Sequence, residues 1–153
     1  MTVFNSDAIS RALPVPGFGA GGGQVRCQYT KVALTVGATT TDTINLFKLP
    51  QNFRVVDICV KNPAFGGATT LNIGDGGFTQ PDGTVLAADP DRYFAAGSIA
   101  TAGNSDAIAN TGLFLRGPKD RYLTITAALA AGTVATAGDL EVALFYTVEE
   151  PQA

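Results

Sequence analysis

The sequence predicts an all-β fold, an antiparallel β-sandwich of jelly-roll type over residues 24–153, with an extended N-terminal arm over residues 1–23. Three observations lead there. From Gln24 onward, apolar residues recur in short runs with two-residue alternation, the signature of half-buried antiparallel strands. Gly, Pro, Asn and Asp separate those runs, as turns require. Ahead of Gln24 neither pattern exists, because Pro14, Pro16, Gly17, Gly19 and Gly21 to Gly23 interrupt helix and strand alike.

The arm comes first in the chain. Asn5-Ser6-Asp7 has the chemistry of a helix N-cap, and a short helix carrying Ile9 and Leu13 would stop before Pro14. Phe4, Ile9, Leu13 and Phe18 are the arm's apolar side chains. Gly17-Phe18-Gly19-Ala20-Gly21-Gly22 satisfies G-x-G-x-x-G literally, but a dinucleotide site needs a strand before it and a helix after it. Here Pro-Val-Pro precedes and strand-like residues follow, so the run reads as a hinge and no cofactor is expected.

About eight strands follow, near 24–36, 41–49, 53–61, 68–74, 94–101, 111–116, 121–129 and 139–148. In the first, Val25, Cys27 and Tyr29 share one phase and Val32, Leu34 and Val36 the other, so a β-bulge near Thr30 or Lys31 is expected to reset the face. The third is apolar in both phases, which suits a central strand. Residues 75–93 are too long for a hairpin loop and read as a surface excursion, with Asp89-Pro90 opening a short helical turn through Arg92 and Tyr93. The last strand is the clearest, with Leu140, Val142, Leu144, Tyr146 and Val148 on one face. Asn5-Ser6-Asp7-Ala8-Ile9 recurs as Asn104 to Ile108, which reads as one capping solution used twice.

Composition then narrows function. With 153 residues the chain can bury roughly 70% of its unfolded surface, enough for a core without metal or disulfide staples. Cys27 and Cys59 sit in strand runs and are expected to be buried and unbridged. A net charge of −3 with ten scattered basic residues argues against binding a nucleic-acid backbone. No apolar run approaches the roughly 20 residues that span a bilayer, and the first residues lack a basic and apolar signal pattern, so membrane partners and export are not expected.

The chain has no His, which removes the commonest general base and metal ligand and every Ser-His-Asp or Cys-His arrangement. Asp75, Asp82, Asp89 and Asp91 are the remaining candidates for carboxylate catalysis or a calcium site. Most stand beside Gly or Pro, where turn chemistry alone explains them, and their spacing is not that of an EF-hand. No catalytic or metal-ligating set is named. Phe47, Phe53, Phe114, Tyr122 and Phe145 lie in strand runs and are assigned to the core; Phe78 and Tyr93, in the excursion, are candidate surface contacts, with a loop-anchoring role equally open.

Several stretches carry a resemblance: Leu46-Phe47-Lys48-Leu49-Pro50 with Arg54-Val55-Val56-Asp57, Leu71-Asn72-Ile73-Gly74-Asp75, Asp89-Pro90-Asp91-Arg92-Tyr93, and Glu141-Val142-Ala143-Leu144-Phe145-Tyr146. Together they resemble small virion structural proteins of tailed bacteriophages, among them capsid decoration (cement) proteins. The resemblance implies a non-enzymatic homo-oligomer, a dimer or trimer, seated on the outer surface of the head. Its partners would be the major capsid protein and copies of itself, with affinity from many repeated weak contacts. In that setting Phe4, Ile9, Leu13 and Phe18 are the candidate assembly contacts. The competing expectation is a host-glycan or receptor-binding tail or fibre module working through the excursion, with Phe78 and Tyr93 as its contacts.

Overall fold

The computed structural model describes residues 3–5, 25–106, 112 and 114–149. Among them there is no helix. The strands are β1 (Val3–Asn5), β2 (Arg26–Leu34), β3 (Thr43–Leu49), β4 (Phe53–Asn62), β5 (Thr70–Asp75), β6 (Phe78–Thr79), β7 (Val85–Leu86), β8 (Asp89–Ser98), β9 (Gly103–Asp106), β10 (Leu123–Ala131) and β11 (Gly138–Val148). One sheet has the order β2-β11-β4-β9 and the other β1-β3-β10-β5-β8, while β6 and β7 form a separate hairpin.

Apart from β1, which lies parallel to β3, every pairing is antiparallel. Successive strands alternate between the sheets except β5 and β8, which are paired in one sheet, and this is the double Greek key of a jelly roll. A strand in one sheet of a sandwich turns only every second side chain toward the other sheet, and β11 obeys this along its whole length: Leu140, Val142, Leu144, Tyr146 and Val148 are all buried. Opposite it, β10 contributes Leu123, Ile125, Ala127 and Leu129, and β3 contributes Ile44, Leu46, Phe47 and Leu49. The inner faces interdigitate into one core.

Several sequence expectations need correction. The bulge expected in β2 is absent, because its pairing with β11 runs without a shift from Leu34 opposite Gly138 to Arg26 opposite Tyr146. The phase change is instead a change of environment. Thr30, Val32 and Leu34 point inward, while Tyr29, at 57% exposure, and Cys27 stand on the outer face of the sheet. Cys27 is exposed and Cys59 half-buried, so neither is the buried thiol expected. No disulfide joins them, since β11 separates their strands.

The bulge sits in β4. Phe145 lies opposite Asp57 and Tyr146 opposite Val55, leaving Val56 as the extra residue. It resets the face so that Phe53 and Val55 before it, and Ile58 and Val60 after it, are all buried. β4 is central, as its doubly apolar pattern predicts, but the pattern arises from the bulge.

Of the predicted strand at 111–116, the described residues 112 and 114–116 show an isolated bridge between Arg54 and Arg116 and no ladder. β9 lies earlier, over Gly103–Asp106 beside the end of β4, and includes the Asn104-Ser105-Asp106 expected as a helix cap. The helical turn after Asp89 is also absent. Asp89 begins β8, and Pro90 fits there because β8 is an edge strand whose missing N–H costs no ladder bond.

The register of β2 gives a direct test. Leu34→Ala is expected to cost about 2–5 kcal/mol in urea unfolding and Tyr29→Ala under about 1 kcal/mol. A bulged β2 with Tyr29 inside would make the two losses comparable.

Candidate functional site

β3, β5 and β11 finish, and β2, β4, β8 and β10 begin, at one end of the sandwich. The excursion 76–88, the turn at 51–52 and the segment 114–118 gather there. Asp75, the last residue of β5, organises that end. One of its oxygens, Oδ2, accepts from Arg92 Nε at 2.8 Å and from the Tyr93 hydroxyl at 3.0 Å, while Oδ1 accepts from the Gly77 N–H at 2.8 Å.

Arg92 donates further to the Ala87 carbonyl and lies over the Phe78 ring, 5.8 Å from its centroid. The side chains of Asp75 and Arg92 are 0% and 6% exposed, so the charges meet out of water. Burial, followed by the negative charge of Asp75, pushes the Tyr93 phenol well above its ordinary range, and the group stays a neutral donor. Gly77 completes the turn at φ +82°, where a Cβ would lie 2.6 Å from the Ala88 nitrogen.

Of the two roles open for Phe78 and Tyr93, this geometry is that of anchors. They are 3% and 1% exposed, and Phe78 packs on Phe53 with ring centroids 6.4 Å apart. Neither ring offers a free face to a partner. The carboxylates of the excursion are likewise engaged by backbone: Asp82 Oδ1 accepts from the Thr84 N–H and Asp89 Oδ1 from the Asp91 N–H. These are turn contacts of the kind Asp favours.

The excursion in turn supports a second feature. Gln80 Nε2 donates to the Arg116 carbonyl at 3.2 Å. Segment 114–118 is laid along the start of β4 by Phe114 N–H to Val55 O at 2.9 Å, Gly117 N–H to Phe53 O at 2.7 Å and Asn52 N–H to Pro118 O at 2.8 Å. Arg54 Nη1 donates to the Phe114 carbonyl at 2.8 Å, and Glu149 pairs with both Arg54 and Arg116.

Within this frame Phe114 has φ +63° and is 61% exposed. A bulky side chain in the left-handed region costs about 1–2 kcal/mol and persists only where the surroundings over-determine it. Here hydrogen bonds hold both its N–H and its C=O. Beside the ring is a cleft of about 320 Å³ lined by Arg54, Gln80, Asp82 and Arg116. The arrangement can present an apolar knob beside two guanidinium groups.

Sequence reasoning placed Phe114 and Tyr122 in the core, and both are exposed, Tyr122 at 53% with Lys48 Nζ 5.3 Å from its ring centroid. For Phe114, Gly112 on one side and Gly117-Pro118 on the other were the available signal, because four residues bounded in that way make a turn more readily than a strand. Phe4 falls in β1, whose backbone alone is described, and Ile9, Leu13, Phe18 and the Gly17-to-Gly22 run lie outside the described residues.

With that geometry in view, similarity to other proteins becomes informative. No protein-family model matches the chain, and no curated protein matches it. A chain of the cyanophage Pam1 capsid asymmetric unit superposes with a TM-score of 0.63 at 27% identity, covering 89% of this chain and 92% of that one. A chain of the capsid of Ralstonia phage GP4 superposes with a TM-score of 0.73 at 20% identity, covering 97% and 99%. Both are phage capsid structures. The GP4 likeness establishes the shared fold, and in both cases the correspondence extends over nearly the whole length of each chain.

The Asp75 hub gives the prediction for this end. Asp75→Ala strands the Arg92 charge in the interior and is expected to cost about 3–5 kcal/mol in urea unfolding. Limited proteolysis should then cut within residues 76–88 well before the rest of the domain. Unchanged stability would mean that the pair does not hold the excursion.

Proposed function

We propose that the chain is a non-enzymatic structural protein of a tailed-phage virion, a decoration or cement protein. In this reading it sits on the outer surface of the head, contacts the major capsid protein and copies of itself, and stabilises the lattice. The observation that carries the proposal is the nearly full-length likeness to a chain of the Pam1 capsid asymmetric unit, at 27% identity.

Two features of the chain support a docking role. Phe114 is held exposed in a strained conformation by the hydrogen bonds on either side of it. The chain also leaves β1 and returns into β2 at this same end, so the arm with Ile9, Leu13 and Phe18 is tethered there. Phe114 and the arm residues Phe4, Ile9, Leu13 and Phe18 are the proposed contacts with the shell or an adjacent subunit.

Two variants test this on heads that lack the protein. Phe114→Gly removes the ring and relieves the backbone, so stability should rise by about 1 kcal/mol while sedimentation with heads weakens at least tenfold. Removing residues 1–20 should leave a folded domain that no longer sediments with heads. Full head binding by both variants would overturn the assignment of the contacts, and failure of the intact chain to bind heads would overturn the function.

A further inference from the structure

β1 is three residues long and runs parallel to the outer edge of β3, with Val3 opposite Thr43, Phe4 opposite Ile44 and Asn5 opposite Asn45. On its other side β3 is paired with β10. Without β1, therefore, β3 presents a free row of N–H and C=O groups, the kind of edge that recruits a strand from another chain.

The connection from β1 to β2 is residues 6–25. Edge strands β2 and β3 lie on the same side of the sandwich, and sheets that pack face to face are about 10 Å apart. About 20 residues reach roughly 60 Å when extended. The connection is thus several times longer than a return within one chain needs, and long enough to cross to a neighbour. Pro14 and Pro16 each fix a φ angle in its middle, and the glycines follow on the β2 side.

Where that connection enters β2, the inner face is polar. Gln28, Thr30 and Tyr146 lie there, and the Tyr146 hydroxyl has Gln28 and Arg26 as hydrogen-bonding neighbours.

We propose that β1 is exchanged between copies: Val3–Asn5 of a second copy of this chain pairs onto the outer edge of β3. The ladder formed is the same three-residue ladder in either case, and only the path of residues 6–25 differs. Exchange of an identical element is a low-cost route to an oligomer, and passed around an axis it closes a ring. Each copy would then be laced to the next by its own N-terminus. This rests on the assembly reading above, but its test needs no heads, so either can fail alone.

The test uses the full chain with Cys27→Ser and Cys59→Ser. Val3→Cys and Thr43→Cys are made in separate chains, which are co-expressed and oxidised. Paired positions in neighbouring strands are within disulfide range, so exchange joins two chains and gives a dimer band on a non-reducing gel that neither variant gives alone. Both substitutions in one chain should then give a ladder of multimers. An internal bridge alone in the double variant, with no dimer from the mixture, overturns the proposal. So does the absence of any bridge in both, since the β1–β3 register would then not form.

Discussion

The carboxylate of Asp75 is where one end of this sandwich is decided. It accepts three hydrogen bonds, from Arg92, Tyr93 and the Gly77 backbone, and thereby fixes the direction in which the chain leaves β5 and the way it re-enters β8. A buried ion pair of this kind contributes little net stability compared with apolar packing, but it is costly to break, so its effect is to specify one arrangement. From it the order runs outward: Arg92 holds the Ala87 carbonyl and covers Phe78, the β6–β7 hairpin is placed, Gln80 reaches the Arg116 carbonyl, and segment 114–118 lies along β4. Phe114 stands exposed at the far end of that series.

Much of the fold was legible because a strand pressed between two sheets leaves a period of two in its sequence. β11 shows it without interruption, and its five buried side chains are those the alternation picks out. The errors arose where another cause produced the same pattern. A bulge at Val56 made β4 look apolar on both faces, whereas the phase change in β2 came from side chains that face solvent on an unbroken strand. A hydrophobic pattern records which residues are apolar and does not say whether the chain or its surroundings changed.

β9 was invisible for a different reason. Gly103-Asn104-Ser105-Asp106 has no apolar alternation, and an edge strand joined to β4 through its backbone needs none. The Asp75 contacts were equally hidden, since an Asp beside Gly reads as a turn residue, and only the return of β8 along β5 brings Arg92 and Tyr93 to it. Phe114 is exposed by a backbone conformation that its residue type disfavours, and a hydrogen bond from distant Arg54 to its carbonyl and one from its N–H to the Val55 carbonyl enforce it. Local sequence does not carry that information.

A jelly roll filled in this way suits a domain with few charged residues, and under the proposed function contacts fall to its end and edges. The strained aromatic, the tethered arm and the β3 edge are three such places, and all suit contacts repeated across a lattice, where weak sites add. The most direct measurement is cryo-electron microscopy of heads saturated with the chain. Jelly-roll density on the outside of the shell, with residues 51–52, 76–88 and 114–118 turned toward it, is the expected result. Density with the opposite end against the shell, formed by residues 35–42, 63–69 and 132–137, or no density on the head at all, would contradict it.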